Sequence, residues 1–105
     1  MRRGEIWWAE LEPPAGKRPV VLLSRDEAYT VRSLVIVAPV TTRVRSLPVE
    51  VPLTVEDGMP QACVVNLDII TTVPKDCLHN RLATLNHRKL KEVETAVRFA
   101  LGLEQ

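Results

Sequence analysis

Lys17-Arg18-Pro19 runs straight into Val20-Val21-Leu22-Leu23-Ser24, a cationic pair on a turn followed at once by an apolar stretch of strand length. Pro19 fixes its own φ and drives Arg18 out of the helical region. Arg18 is thereby held in extended backbone at the mouth of a buried strand. A guanidinium so presented is permanently charged, and its paired donors match the oxygens of a phosphate. A second segment offers related chemistry, because Thr41-Thr42-Arg43-Val44-Arg45 closes another apolar run, Leu34 to Thr41. If the two strands are antiparallel neighbours, the start of one and the end of the other share a sheet edge. The two clusters then converge into one basic, hydroxyl-bearing patch. Each segment alone is also what a solvated turn or exposed loop looks like.

Other chemistries find little support. His79 and His87 are the only histidines, and neither has a second ligand at a useful spacing, so no metal site is expected. A two-histidine acid/base pair would need the fold to join a loop to a helix start, and nothing in the spacing argues for that. Cys63 and Cys77 form no CxxC motif and have no paired base, so they read as small apolar side chains in a reduced compartment. No GxSxG elbow is present, and the four glycines are too scattered to form a phosphate-cradling loop. Phosphate chemistry carried by arginine and hydroxyl groups is what remains.

These residues must be positioned by a small scaffold. The chain has 105 residues, enough for one domain, 1–105, with a core but no large internal cavity. A net charge of +1 carries no global signature of nucleic-acid binding, so any such site must come from local clustering of Lys and Arg. Aromatics are only 4%, which argues against wide base-stacking platforms. After Met1-Arg2-Arg3-Gly4-Glu5 no apolar stretch is long enough for a signal peptide or a membrane span, and a cytoplasmic protein is expected.

Periodicity and punctuation predict many short strands. These cover Glu5–Leu11, Pro19–Ser24, Leu34–Thr41, Leu47–Leu53 and Ala62–Val73, the last bent near Asp68, with a short strand or link at Arg81–Leu85. Pro39 suggests an edge position or a bulge. Trp7 and Trp8, being adjacent on a strand, must point to opposite faces. A short helix or turn is expected over Arg25–Val31 with Ser24 as its cap, and one helical turn within Pro74–Asn80. The clearest helix starts after Asn86 and ends at Gly102, with Leu90, Val93, Val97 and Leu101 as a core-facing stripe. The fold class is α+β, mainly β: a small, curved antiparallel sheet or partly open barrel with a C-terminal helix and one or two short helices.

The order of these segments resembles the MazF/PemK toxins of bacterial toxin–antitoxin systems. RRGEIWWAEL is similar to the family's opening, GKRPVVLLS to its G-x-RPV strand, and IVAPVTT to its P-[IVL]-T-[ST] strand end. DGMPQACVVNLDIITTV resembles its later strand pair, and LKEVETAVRFALGL its terminal helix. The resemblance runs from about Arg2 to Leu103, and five motifs in one order carry it. It implies an SH3-like barrel, a homodimer, a cognate MazE-like antitoxin, and a metal-independent, cofactor-free endoribonuclease acting on single-stranded RNA. In such enzymes the 2′-hydroxyl attacks the adjacent phosphate, leaving a cyclic phosphate and a 5′-hydroxyl. The family's arginine before Pro-Val falls on Arg18 and its threonine on Thr41. Two positions depart from the family pattern: the Pro13–Lys17 loop lacks the family's acidic residue, and Ile69-Ile70-Thr71 stands where many members carry Gln-Ile-Arg.

The expected catalytic pair is therefore Arg18, gripping the scissile phosphate, and Thr41, donating its hydroxyl to a non-bridging oxygen. Lys17, Thr42, Arg43 and Arg45 are expected to hold flanking RNA, and Asn66 and Asp68 to contact it further along. Two rival readings share the fold: a non-catalytic toxin that grips a protein such as a DNA topoisomerase, and an RNA-binding barrel without cleavage.

Overall fold

The computed structural model describes residues 1–103, so the last two residues of the expected domain lie outside the described ones. Seven strands and two α-helices follow in the order β1 (Glu5–Glu10), β2 (Lys17–Leu22), α1 (Ala28–Val31), β3 (Leu34–Thr41), β4 (Glu50–Leu53), β5 (Cys63–Asn66), β6 (Thr71–Pro74), β7 (Leu78–Thr84) and α2 (His87–Leu101). Two 3-10 turns, Val55–Asp57 and Lys75–Cys77, join strands. All pairings are antiparallel and run β4-β5-β3-β2-β1-β7, with β6 also on β3. The sheet is not closed, since β4 and β7 remain its two ends. No helix among the described residues is long and apolar enough to cross a membrane.

β3 is the organising strand. One side pairs with β2, while the other pairs first with β6 through Leu34–Val37 and then with β5 through Val40–Thr41. The single bent strand expected over 62–73 is thus two strands, β5 and β6, joined by a turn at Leu67–Ile70 and laid on different stretches of the same neighbour. Pro39 marks the change of partner rather than an edge. The Leu23 amide donates to the Ile36 carbonyl at 2.9 Å. In an antiparallel ladder this turns the amide position of residue 39 away from β2. The missing proline donor therefore faces the gap between β6 and β5, where no ladder bond is lost.

Two apolar clusters fill the two faces of the sheet. One joins Ile6, Val21, Ala38, Val65 and Leu53 to Val93 and Ala96 of α2. The other gathers Ala9, Val20, Leu22, Val37 and Val73 with Tyr29 of α1. Helix α2 begins as expected, with the Asn86 side chain accepting the Lys89 amide, and ends at Gly102 in the left-handed region. Its expected core stripe is only partly a core face: Val93 and Ala96 are buried, whereas Leu101 is 59% exposed. The helix is rotated so that Leu90, Val97 and Leu101 border an apolar groove with Leu23 and Ile36.

Several boundaries shift for identifiable reasons. β2 starts at Lys17, because Arg18 and Lys17 continue the β1 ladder opposite Ala9 and Glu10. Ser24 does not cap α1; its hydroxyl accepts the Ile36 amide at 2.8 Å, and its carbonyl accepts the Tyr29 hydroxyl. Residues 47–49 do not join β4, since Pro48 and Val49 form the turn that leads into it. The last strand begins at Leu78, not Arg81, with Leu78 opposite Ala9 of β1. Glu5 is a buried carboxylate, 7% exposed. It accepts hydrogen bonds from the Arg2 amide, the Trp7 indole and Arg81. Burial alone would raise its pKa, but the Trp7 and Arg2 donors, with the N-terminal charge and Arg81, outweigh it and hold the carboxyl below its ordinary value.

Candidate functional site

Opposite residues of paired strands point to the same face, so register decides which side chains can meet. Val20 pairs with Pro39, and the same register carried two residues further sets Arg18 level with Thr41. On the far side of β5, Asn66 pairs with Glu50. The result is a cleft of about 290 Å³ bordered by Arg18, Thr41, Arg43, Arg45, Glu50 and Asn66, with Pro39 and Ile69 as its apolar floor. The two basic segments converge here, although they are far apart in sequence.

Each polar side chain is held with some capacity left over. Arg18 Nε donates to the Ala15 carbonyl at 3.3 Å, which fixes the guanidinium against its own turn and leaves the terminal nitrogens free of that bond. Thr41 Oγ1 accepts the Arg43 amide at 3.1 Å, so its hydroxyl proton remains available to an outside acceptor. The Asn66 carbonyl oxygen accepts the Asp68 amide at 2.9 Å, leaving its NH2 group to donate. Glu50 Oε1 accepts the Arg45 amide at 2.9 Å and the Leu47 amide at 3.4 Å. Between those amides Ser46 adopts φ 57°, the left-handed region, which aims both donors at one oxygen. Among the described residues, none of Arg18, Arg43 and Arg45 forms a salt bridge with a carboxylate. Three guanidiniums against the single Glu50 carboxylate leave the cleft with an excess of positive charge, which suits a polyanion.

Not every expected residue is here. Lys17 alternates to the other face of β2, where its ammonium sits 5.6 Å from the centre of the Trp8 ring. Thr42 borders a smaller crevice with Trp8 and Gln61 on that same side, which meets the cleft at Thr41. Asp68 is exposed in the turn after β5 and donates its amide to Asn66 rather than reaching the cleft. Trp7 and Trp8 do face opposite ways, Trp7 against the core cluster of β1, β2 and β3.

Beyond Arg18 a neighbouring pocket of about 510 Å³ opens, lined by Leu11, Glu12, Val20, Ile69 and Thr71. It shares Arg18, Pro39 and Ile69 with the cleft, so the two form one continuous depression. Glu50 and Glu12 are the carboxylates that the sequence reading missed.

The remaining candidates stand apart. His79 and His87 line neither depression, and His79 lies 3.7 Å from Glu10 on the exposed side of β7. Both cysteines are free thiols. Burial pushes the Cys63 thiol up, with Asp57 adding to it, and burial also raises Cys77. Neither is an activated nucleophile. Among the described residues, no group of three or more His, Cys, Asp or Glu is clustered to hold a metal ion.

Residues 2–101 match the family described as PemK-like, MazF-like toxin of type II toxin–antitoxin system. A protein named probable endoribonuclease MazF5, from Mycobacterium tuberculosis, is 41% identical over 100 residues, covering 94% of this chain and 91% of that protein. The solved structure of the M. tuberculosis toxin MazF-mt6 superposes with a TM-score of 0.89 at 32% identity, covering 96% of this chain and 99% of the other. A mycobacterial endoribonuclease in complex with its cognate antitoxin gives 0.87 at 26% identity, covering 100% and 98%.

Proposed function

We propose a function for this chain from the premise that it belongs to the PemK-like, MazF-like family of type II toxin–antitoxin toxins. Membership, with relatives named as endoribonucleases, gives the coarse activity: an endoribonuclease toxin. The finer reading is a sequence-specific, metal-independent cut in single-stranded RNA, made by 2′-hydroxyl attack and leaving a 2′,3′-cyclic phosphate and a 5′-hydroxyl.

One observation carries this reading: Arg18 stands level with Thr41 in a cleft whose three guanidiniums lack carboxylate partners. The barrier to such a cut is negative charge gathering on a pentacoordinate phosphate, and preorganised donors stabilise that charge best. Arg18, fixed through Ala15, presents paired N–H groups to the non-bridging oxygens. Thr41 donates to one of the same oxygens, and their common anchoring in adjacent strands aligns the phosphate for in-line displacement. Arg43, Arg45 and Asn66 hold the flanking strand. No metal is needed for this division of labour, because guanidinium and hydroxyl supply the charge and the aim. Ile69 and Thr71, in the place of the family's Gln and Arg, border the pocket beyond Arg18 and set which base is accepted there.

A cognate antitoxin neutralises the toxin, in line with the neighbouring structure solved as a complex with its antitoxin. The toxin works as a cytoplasmic homodimer. The apolar groove of about 390 Å³ between α2 and the sheet, edged by Leu101, Leu90 and Ile36, supports a second copy as its cover. The test is RNA cleavage in excess chelator with end-group analysis. Cyclic phosphate and 5′-hydroxyl ends are expected. Loss of cleavage in chelator, restored by a divalent metal, would refute metal independence, and binding without cleavage would favour the non-catalytic readings.

A further inference from the structure

The proposed cleavage leaves one role open, since neither a permanently charged guanidinium nor a threonine hydroxyl readily removes the proton from the attacking 2′-hydroxyl. We infer that Glu50 is the general base. This rests on the endoribonuclease reading above and adds a residue to it.

Among the described residues that border the cleft, Glu50 is the only carboxylate. Its placement is built rather than incidental. The register puts it opposite Asn66, in the row that continues to Pro39, on the face that carries Thr41 and Arg18. From β4 to β3 is two strand spacings, roughly 10 Å between backbones, a gap that a nucleotide lying on Pro39 and Asn66 fills. One oxygen, Oε1, is committed to the Arg45 and Leu47 amides, which fixes the carboxylate plane. Oε2 has no hydrogen-bond partner among the described residues and is left for the substrate. The charged groups around it are Arg18 from β2 and Arg43 and Arg45 from the loop. On the far side of β4, Arg88, Lys91 and Glu92 of α2 border a separate groove that Glu50 also edges.

The step balances without any further reactant. Oε2 takes the proton as O2′ bonds to phosphorus, the P–O5′ bond breaks, and the leaving oxygen takes a proton from water. Glu50 then releases its proton to solvent. Glu12 is the rival carboxylate, but it is exposed and lies in the pocket on the other side of Arg18 from Thr41.

The test is single-turnover cleavage of a mixed-sequence single-stranded transcript at saturating enzyme, across pH, with thermal melts as a folding control. Glu50→Gln keeps an oxygen for both amides and removes only the base. Its rate should fall by about 10²- to 10⁴-fold, the acid limb of the pH–rate profile should vanish, and RNA affinity should hold or rise. Glu50→Ala should recover part of its rate in added formate. A Glu50→Gln protein that cleaves at the wild-type rate overturns the assignment. So does one that is slow but keeps the acid limb, or a loss of that limb in Glu12→Gln instead. If wild type yields cyclic ends while any of these results holds, Glu50 alone is misassigned. If wild type yields no cyclic ends, the cleavage reading itself falls, and the Glu50 assignment with it.

Discussion

Arg18→Lys separates charge from geometry at the phosphate. In the wild type Nε is tied to the Ala15 carbonyl at 3.3 Å, so the planar fork is oriented before substrate arrives. Lysine keeps the charge but gathers its donors on one freely rotating atom and cannot reproduce the Ala15 bond. The loss is about one charge-assisted hydrogen bond to a transition-state oxygen, about 2–3 kcal/mol. That corresponds to a rate reduction on the order of 10²-fold. Affinity should change far less, because long-range attraction between cation and RNA survives and only transition-state contacts act on the chemical step. The assay is single-turnover cleavage at saturating enzyme, beside filter binding of the same RNA. Thr41→Val is the companion: it keeps the β-branched shape and removes a hydroxyl that both donates outward and accepts the Arg43 amide. It should slow cleavage while the melting temperature stays near wild type. Wild-type single-turnover rates in both variants would refute the reasoning and leave Arg18 and Thr41 as binding or structural residues.

Other variants test other parts of the structure. Arg43→Ala and Arg45→Ala should each lower the slope of log affinity against log salt by roughly 0.7, as expected for one phosphate contact on a single strand, measured by binding titrations at several salt concentrations. Lys17→Ala, on the opposite face over Trp8, should leave that slope near wild type. Glu5 is buried with its carboxyl held below the ordinary value, so its contribution is present at neutral pH and lost as pH falls through and below the usual carboxylate range. Urea melts should show Glu5→Gln destabilised by about 2 kcal/mol at pH 7, with the gap to wild type closing in acid. Lys89 ties α2 to β4 through the Pro52 carbonyl at 2.9 Å, near Asp57 and Glu92. Lys89→Met should cost about 1–2 kcal/mol, seen as a drop of several degrees in melting temperature.

Much of this was legible in the residues. The α2 boundaries followed from Asn86 and Gly102, because capping is a local matter of side chain and backbone. The meeting of Arg18 with Thr41 followed from two apolar runs with polar ends on the same side. What the sequence hid was rotational and combinatorial. Alternation fixes that Lys17 and Arg18 face opposite ways, but not which of them faces the cleft. Helical periodicity marked Leu101 as apolar without saying that the helix would roll and leave it open. Glu50 escaped notice because its role depends on β4 pairing with β5 and β5 with β3, pairings between segments that no local signal connects.

The four strands that furnish the cleft also set when it can exist. Arg18 comes from β2, Thr41 from β3, Glu50 from β4 and Asn66 from β5, all arranged around β3. The core beneath them is closed by Val93 and Ala96 of α2. A nascent chain that has reached Thr41 owns a guanidinium and a hydroxyl but no cleft. After Asn66 is made, a few seconds more of synthesis, at about 5–20 residues per second, separate it from the helix that seals the sheet. An RNA-cutting protein assembled in this way has no complete cleft until the helix that closes its core has been made.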